Sequence, residues 1–175
     1  VSVAAVSEPS IMGVAADWEE LFQRHARTVF AAAYRITRSS ADAEDILQVI
    51  FLRLLRRPPD APVLADPAAY LHRAAVHAAL DCLRGRVAAG WVPIEAGPEP
   101  AAPGGDGGAL AEALRAALAR LAPRTAEIFT LRHIEGMSNQ QIAGLLGLTP
   151  VHVAVLLHRA RRQLQHELRS FRGGL

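Results

Sequence analysis

The sequence predicts an all-α fold of two small helical domains joined by a flexible linker, and three observations carry that expectation. Ala and Leu dominate while aromatic residues make up only 5%, a balance that favours helix packing over sheet. Apolar residues recur at spacings of three and four through most of the chain, the period of a helix with one buried face. Between Pro93 and Gly108 that period vanishes, and four Pro and five Gly cluster with acidic residues, which reads as a linker.

The elements follow in order. Residues 1–16 read as a disordered leader. Asp17 with Glu20 three residues on resembles a capping box, and Leu21, Phe22, His25, Val29, Phe30, Ala33, Tyr34 and Ile36 continue at helical spacing. Arg38-Ser39-Ser40 interrupts, and a second helix opens with Asp42, Glu44 and Asp45 where the helix dipole favours carboxylates. Its apolar stripe is Ile46, Leu47, Ile50, Phe51, Leu54 and Leu55, and Pro58-Pro59 stops it. Asp66-Pro67 reads as an N-cap followed by Pro at the first helical position. The third helix then runs to about Arg86, with Tyr70, Leu71, Ala74, Ala75, Ala78, Ala79, Cys82 and Leu83 expected inward. The first domain is thus 17–86, the linker 87–109 and the second domain 110–175.

In the second domain Leu110, Leu114, Leu118 and Leu121 mark one helix, and Pro123 starts another that Gly136 ends. Ser138 and Gln141 form a capping box for a short helix through Leu146, Gly147 breaks it, and Thr149-Pro150 opens a long final helix. Residues 139–158 have the spacing of a helix-turn-helix: small Ala143 lets two helices approach closely, and Gly147 supplies the turn.

Charge supports a polyanion as partner of the second domain. The net charge is only +2, yet residues 110–175 carry nine Arg against four acids, residues 87–109 carry three acids and no Arg, and residues 17–86 are nearly balanced. All nineteen basic residues are Arg. The single Cys82 excludes an intramolecular disulfide and fits a reducing cytoplasm. No apolar run approaches the roughly 18–20 residues a membrane span needs, so no membrane insertion is expected. Enzymatic chemistry and a small-molecule substrate are not expected either. The Gly-rich stretch 104–108 lacks the Lys-Ser/Thr of a phosphate-binding loop, and His72 and His77, five apart, face different sides of one helix rather than one metal. No cofactor is expected. Cys82 reads as a small core residue.

With these motifs placed, the chain resembles the extracytoplasmic-function class of bacterial RNA polymerase sigma factors. The stretches LFQRHARTVFAAAYRITRSSADAEDILQVIFLRLLRR (21–57) and DPAAYLHRAAVHAALDCLRGR (66–86) resemble sigma-70 region 2, and LARLAPRTAEIFTLRHIEGMSNQQIAGLLGLTPVHVAVLLHRARRQL (118–164) resembles region 4. The resemblance implies that core RNA polymerase, promoter DNA and an anti-sigma factor are the partners. It implies polymerase contact through Asp45, Gln48, Phe51 and Arg53, and capture of the −10 element by Tyr70, Arg73, His77, Arg84 and Arg86. The −35 element would meet the final helix at Thr149, Val151, His152, Ala154, Val155 and His158, with phosphate contacts from Arg159, Arg161 and Arg162.

The sequence departs from the family on these surfaces. Val49 stands where the family has an acid, Val76-His77 where it has Arg-Asn, Cys82 where it has a basic residue, and Ala154 and Leu156 where it has Lys and Arg. The groove-facing set can touch thymine methyls but lacks the bidentate pairs that discriminate bases by about 1–3 kcal/mol each. Two readings therefore stand: a sigma factor that directs initiation at a small promoter set, or a sigma-like interaction protein in which Val49, Val76, Val151 and Val155 belong to a protein interface.

Overall fold

A computed structural model of the chain describes residues 11–58, 64–90 and 107–169, with side chains from residue 18. Its elements are the helices α1 (Ile11–Thr37), α2 (Ser40–Leu55), α3 (Pro67–Ala88), α4 (Gly107–Arg120), α5 (Pro123–His133), α6 (Asn139–Leu146) and α7 (Pro150–Glu167). No strand occurs among the described residues. No single helix among them is long and apolar enough to cross a membrane.

Local signals place most helix ends. Ser39 caps α2 by accepting the Asp42 N–H, and Arg38, in the left-handed region at φ 55°, turns the chain between α1 and α2. The guanidinium of Arg38 lies 5.3 Å from the centre of the Tyr34 ring, a contact that helps hold this uncommon non-glycine conformation. Asp66 caps α3 by accepting the Ala69 N–H at 2.9 Å, with Pro67 in the first turn. α1, by contrast, does not begin at Asp17. It starts at Ile11, with Met12, Ala15 and Ala16 favouring helix upstream despite Gly13 and Val14, so Asp17 lies inside it. Residues 11–16, expected in a leader, are therefore helical, and residues 1–10 lie outside the described residues. The linker is also shorter at both ends than expected: residues 87–88 belong to α3 and 107–109 to α4. Its Pro/Gly-rich middle, 91–106, lies outside the described residues.

The buried faces differ from the expected stripes in an instructive way. α3 buries Leu71, Ala75, Val76, Ala79, Leu80 and Leu83, while Tyr70 is 45% exposed. Val76 and Leu80 are inward because α3 is covered on two sides, by α1 and α2 and by α4 and α5. Val76, read from the sequence as a surface position, is a core residue. On α2 the stripe is narrower than expected: Leu55 is exposed, as are Val49 and Leu52. Leu110, at the start of α4, is exposed as well.

The two modules share one core. Buried residues of α1–α3 and of α4–α7 form a single apolar cluster, with α3 packed against both α4 and α5. Within the C-terminal module α5, α6 and α7 pack on one another through Ile128, Leu131, Ile142, Ala143, Val153 and Leu157.

Candidate polymerase and nucleic-acid interfaces

The C-terminal site is built by its caps. Ser138 accepts the Gln141 N–H at 3.2 Å while the Gln141 side chain accepts the Ser138 N–H at 2.8 Å, so two orphan donors at the start of α6 are satisfied reciprocally. Gly147 ends α6 at φ 64°, ψ 38°, the left-handed conformation that costs glycine least. Thr149 then caps α7 by accepting the His152 N–H, with Pro150 in the first turn. The axes of α6 and α7 turn through 106°, within the range of a helix-turn-helix. Ala143, 3% exposed, and Val153, fully buried, belong to the core on which α6 and α7 pack.

That crossing leaves one side of α7 free. Val151 (74% exposed), His152, Ala154, Val155, His158, Arg159, Arg161 and Arg162 are all exposed, and Leu156 is half-buried against the core. Val151, Val155, His158 and Arg162 recur at helical spacing, so one stripe runs from an apolar N-terminal half to a basic C-terminal half. Arg169 and His166 extend it and, with Arg159 and Arg162, line a shallow cleft. Arg161 lies to the side, 3.4 Å from His133 of α5. Burial pushes the His133 imidazole below its ordinary value, and the nearby Arg161 and Arg132 charges push the same way.

The N-terminal module presents a groove of about 720 Å³ between α2 and α3. It brings Asp45 and Arg53 of the expected polymerase set together with Tyr70, Arg73 and His77 of the expected −10 set, beside Val49, Asp42, Asp81 and Cys82. Gln48 is exposed nearby on α2. Phe51 does not reach this surface: it is 7% exposed and packs edge-on to Phe22, ring centres 4.8 Å apart. Its size and apolarity place it in the core, and the large exposed apolar residues of α2 are Val49, Leu52 and Leu55 instead. Burial raises the Cys82 thiol above its ordinary value, with the Asp42 charge adding to the effect.

The cations of the expected −10 set are engaged within the protein. Arg84 pairs with Asp81 at 2.6 Å, and Arg86 pairs with Asp42. Arg73 and His77 both reach Glu127 of α5, at 2.8 and 2.7 Å. Arg124 approaches the same carboxylate from α5 itself at 3.1 Å. Eight residues on, Glu135, just past α5, receives a two-pronged pair from Arg35 of α1 at 2.9 and 2.6 Å and a contact from His72 of α3 at 2.7 Å. Burial alone would raise both carboxyls, but hydrogen bonds from His77 and Arg73 to Glu127, and from His72 and Arg35 to Glu135, outweigh it and hold each at about 2. Sequence reading missed Arg35, His72, Glu127 and Glu135. The available signal was two acids, eight residues apart, amid the arginines of the C-terminal module, flanking apolar positions that face inward.

Sequence comparison assigns these two modules. Residues 21–88 match the family model of sigma-70 region 2, and residues 111–164 match that of sigma-70 region 4. The chain is 32% identical to the ECF RNA polymerase sigma factor SigL of Mycobacterium tuberculosis over 97% of its own length and 96% of that protein's. The chain belongs to the extracytoplasmic-function (ECF) sigma factors. It is also 33% identical to the RNA polymerase sigma factor CarQ of Myxococcus xanthus, covering 86% of this chain and 88% of CarQ. A further relative, ECF sigma factor SigE of Mycolicibacterium smegmatis, is 33% identical over 86% of this chain, which spans 61% of SigE's length. Among solved structures, the sigma factor RpoE of Bartonella quintana, crystallised with the anti-sigma factor NepR, shares the fold at a TM-score of 0.50 and 20% identity, covering 87% of this chain and 97% of RpoE. Region 2 of the ECF sigma factor is therefore α1–α3, and region 4 is α4–α7 with its helix-turn-helix in α6–α7.

Proposed function

We propose that this ECF sigma factor binds core RNA polymerase through region 2 and directs initiation at promoters whose −35 element is read by α7. The observation that carries the reading is the free stripe of α7, held at 106° to α6 by two capped helix starts and a left-handed Gly147. A recognition helix in a major groove presents its N-terminal residues to base edges. Here those are Val151, His152, Ala154 and Val155, followed by Arg159 and Arg162 at phosphate positions. Region 2 supplies the second half: Asp45, Gln48 and Arg53 on the polymerase side of α2, and Tyr70, Arg73, His77, Arg84 and Arg86 on the −10 side of α3. Phe51 supports that surface from beneath. An anti-sigma factor is the third partner we assign, and the cytoplasm is the compartment.

Reconstitution with core polymerase tests this directly. Gel filtration should show a sigma–core complex, and run-off transcription on fragments of the source genome should give discrete products. A complex without transcripts would instead leave a sigma-like interaction protein, for which the exposed Val151 and Val155 would be the partner surface.

A further inference from the structure

We infer that the first two turns of α7 read the C5-methyl group of pyrimidines in the major groove, with Val151 and Val155 as the specificity-determining contacts. The inference rests on the initiation reading above and deepens it, by naming the chemical feature that the −35 surface selects.

Helical geometry fixes the site. At about 100° per residue, Val151, Val155 and His158 lie opposite Val153, Leu157 and Ala160, which α7 buries. Val151 is 74% and Val155 43% exposed, and Ala154 is exposed beside them. Neither valine is part of the buried core, and valine has no advantage over alanine at an exposed helix position. What valine does supply is a side chain stiff at χ1, whose methyl groups are held ready for contact at little entropic cost.

The chemistry of this face selects its ligand. From Thr149 to His158 the chain has no Asp, Glu, Lys or Arg. The Thr149 hydroxyl is occupied as the cap, accepting the His152 N–H at 3.2 Å. The rings of His152 and His158 are the remaining hydrogen-bonding side chains of that stretch. Base edges in the major groove are polar except at one point, the C5-methyl of thymine. A valine pressed on a bare polar edge would displace water without replacing its hydrogen bonds, whereas against a methyl group both partners leave water favourably. Cytosine methylated at C5 carries the same methyl at the same place, so thymine and 5-methylcytosine are the two sources of this ligand.

The charges further along the stripe point to DNA rather than to a protein partner. At a rise of 1.5 Å per residue, Arg159 and Arg162 lie about 12 and 16 Å beyond Val151. The major groove is about 12 Å wide, so both guanidiniums reach the bordering phosphates while the valines face the bases.

The test begins with the full chain, mixed with core RNA polymerase, selecting from a library of randomised duplexes. The selected duplex is remade with deoxyuridine at each thymine in turn, and binding is measured by competition anisotropy. Loss of a contacted methyl should weaken binding about fourfold, the worth of burying one carbon, and loss of two about 15-fold. A C·G pair placed at the same position should gain about fourfold when its cytosine is 5-methylated. A gain there assigns the contact to the methyl from either source; no gain, with the deoxyuridine loss intact, assigns it to thymine alone. Val151→Ser/Val155→Ser should abolish the methyl dependence and leave the salt slope unchanged, because no cation is removed. Serine and valine differ little in helix propensity, and both positions are exposed, so the variant folds. Equal binding of thymine and deoxyuridine duplexes would overturn the proposal, as would a methyl dependence that persists in the serine variant. So would loss of co-elution with polymerase by that variant without any methyl dependence in the wild type, which would make the face a protein-docking site. Methyl-dependent binding without run-off transcripts would count against the initiation reading alone, so the two failures are distinguishable.

Discussion

Acidification should loosen the junction between regions 2 and 4 before it disturbs either region's own helices. Glu127 faces Arg73 and His77 from α3 and Arg124 from α5, and Glu135 faces Arg35 from α1 and His72 from α3. Each carboxyl sits at about 2 in the folded protein against an ordinary 4.5. A lowered value means that stability is fully present above about 4.5 and is lost as pH falls from there toward 2. At one pKa unit per 1.36 kcal/mol, protonation at pH 3 removes at most about 2 kcal/mol per carboxylate, and about half that after screening of the partly exposed cations. The two together should cost about 2 kcal/mol between pH 6 and pH 3. Other carboxylates also titrate, so the informative quantity is the difference between the wild type and Glu127→Gln/Glu135→Gln, measured by urea unfolding at both pH values. The wild type should be the more stable at pH 6, and the gap should narrow by about 2 kcal/mol at pH 3, which is roughly 4–8 °C in melting temperature for a chain of this size. A gap that stays constant across the range would refute the buried-pair account.

Three further outcomes separate the roles assigned to single residues. Gly147→Ala places a Cβ at φ 64° and should destabilise the helix-turn-helix by about 1 kcal/mol, seen in thermal unfolding, although the added methyl meets no neighbouring atom. Arg162→Ala should weaken binding to duplex DNA nearly uniformly across sequences and lower its salt slope by about 0.9, read by anisotropy, whereas Val151→Ala should alter preference among sequences and leave the slope unchanged. Phe51→Ala should cost about 3–5 kcal/mol in urea unfolding as a core cavity, while Gln48→Ala should leave stability within about 0.5 kcal/mol and act only on co-elution with polymerase.

The parts of this fold legible in the sequence are those decided within four or five residues. The capping box of Ser138 and Gln141, the Asp66-Pro67 and Thr149-Pro150 starts and the Gly147 turn are each a contact between near neighbours, so their residue types suffice to place them. With those fixed, the exposed face of α7 follows from the period of the helix. What misled was a local signal in a place where local chemistry does not decide. Asp17 with Glu20 has the form of a cap, but the helix continues upstream to Ile11, through Met12, Ala15 and Ala16.

Burial was less legible because it depends on how many elements cover a helix. An alanine-rich helix such as α3 has no strong apolar stripe to announce its buried face, and its second neighbour, α4, arrives from beyond the linker. Val76 and Leu80 are inward, and Tyr70 is outward, for that reason alone. Phe51 shows the same limit from the other side: its partner Phe22 lies on another helix, and only the packed structure turns a surface candidate into a core residue.

The least legible feature is the one that bears most on function. Sorted by segment, the charges assign basic residues to DNA and acids to helix starts or to the linker. The fold instead sets two acids of the more basic module against cations of the more balanced one. A module whose net charge suits DNA thereby carries two carboxylates that pair with cations of the other module. Glu127→Gln/Glu135→Gln should unpair those cations while leaving every residue of the α7 stripe in place. The effect of Arg162→Ala on duplex binding should therefore stay the same in the Glu127→Gln/Glu135→Gln background as in the wild type. If the two changes were instead coupled, Arg162 and the buried carboxylates would act on one shared surface, and the independence of α7 from the junction would have to be abandoned.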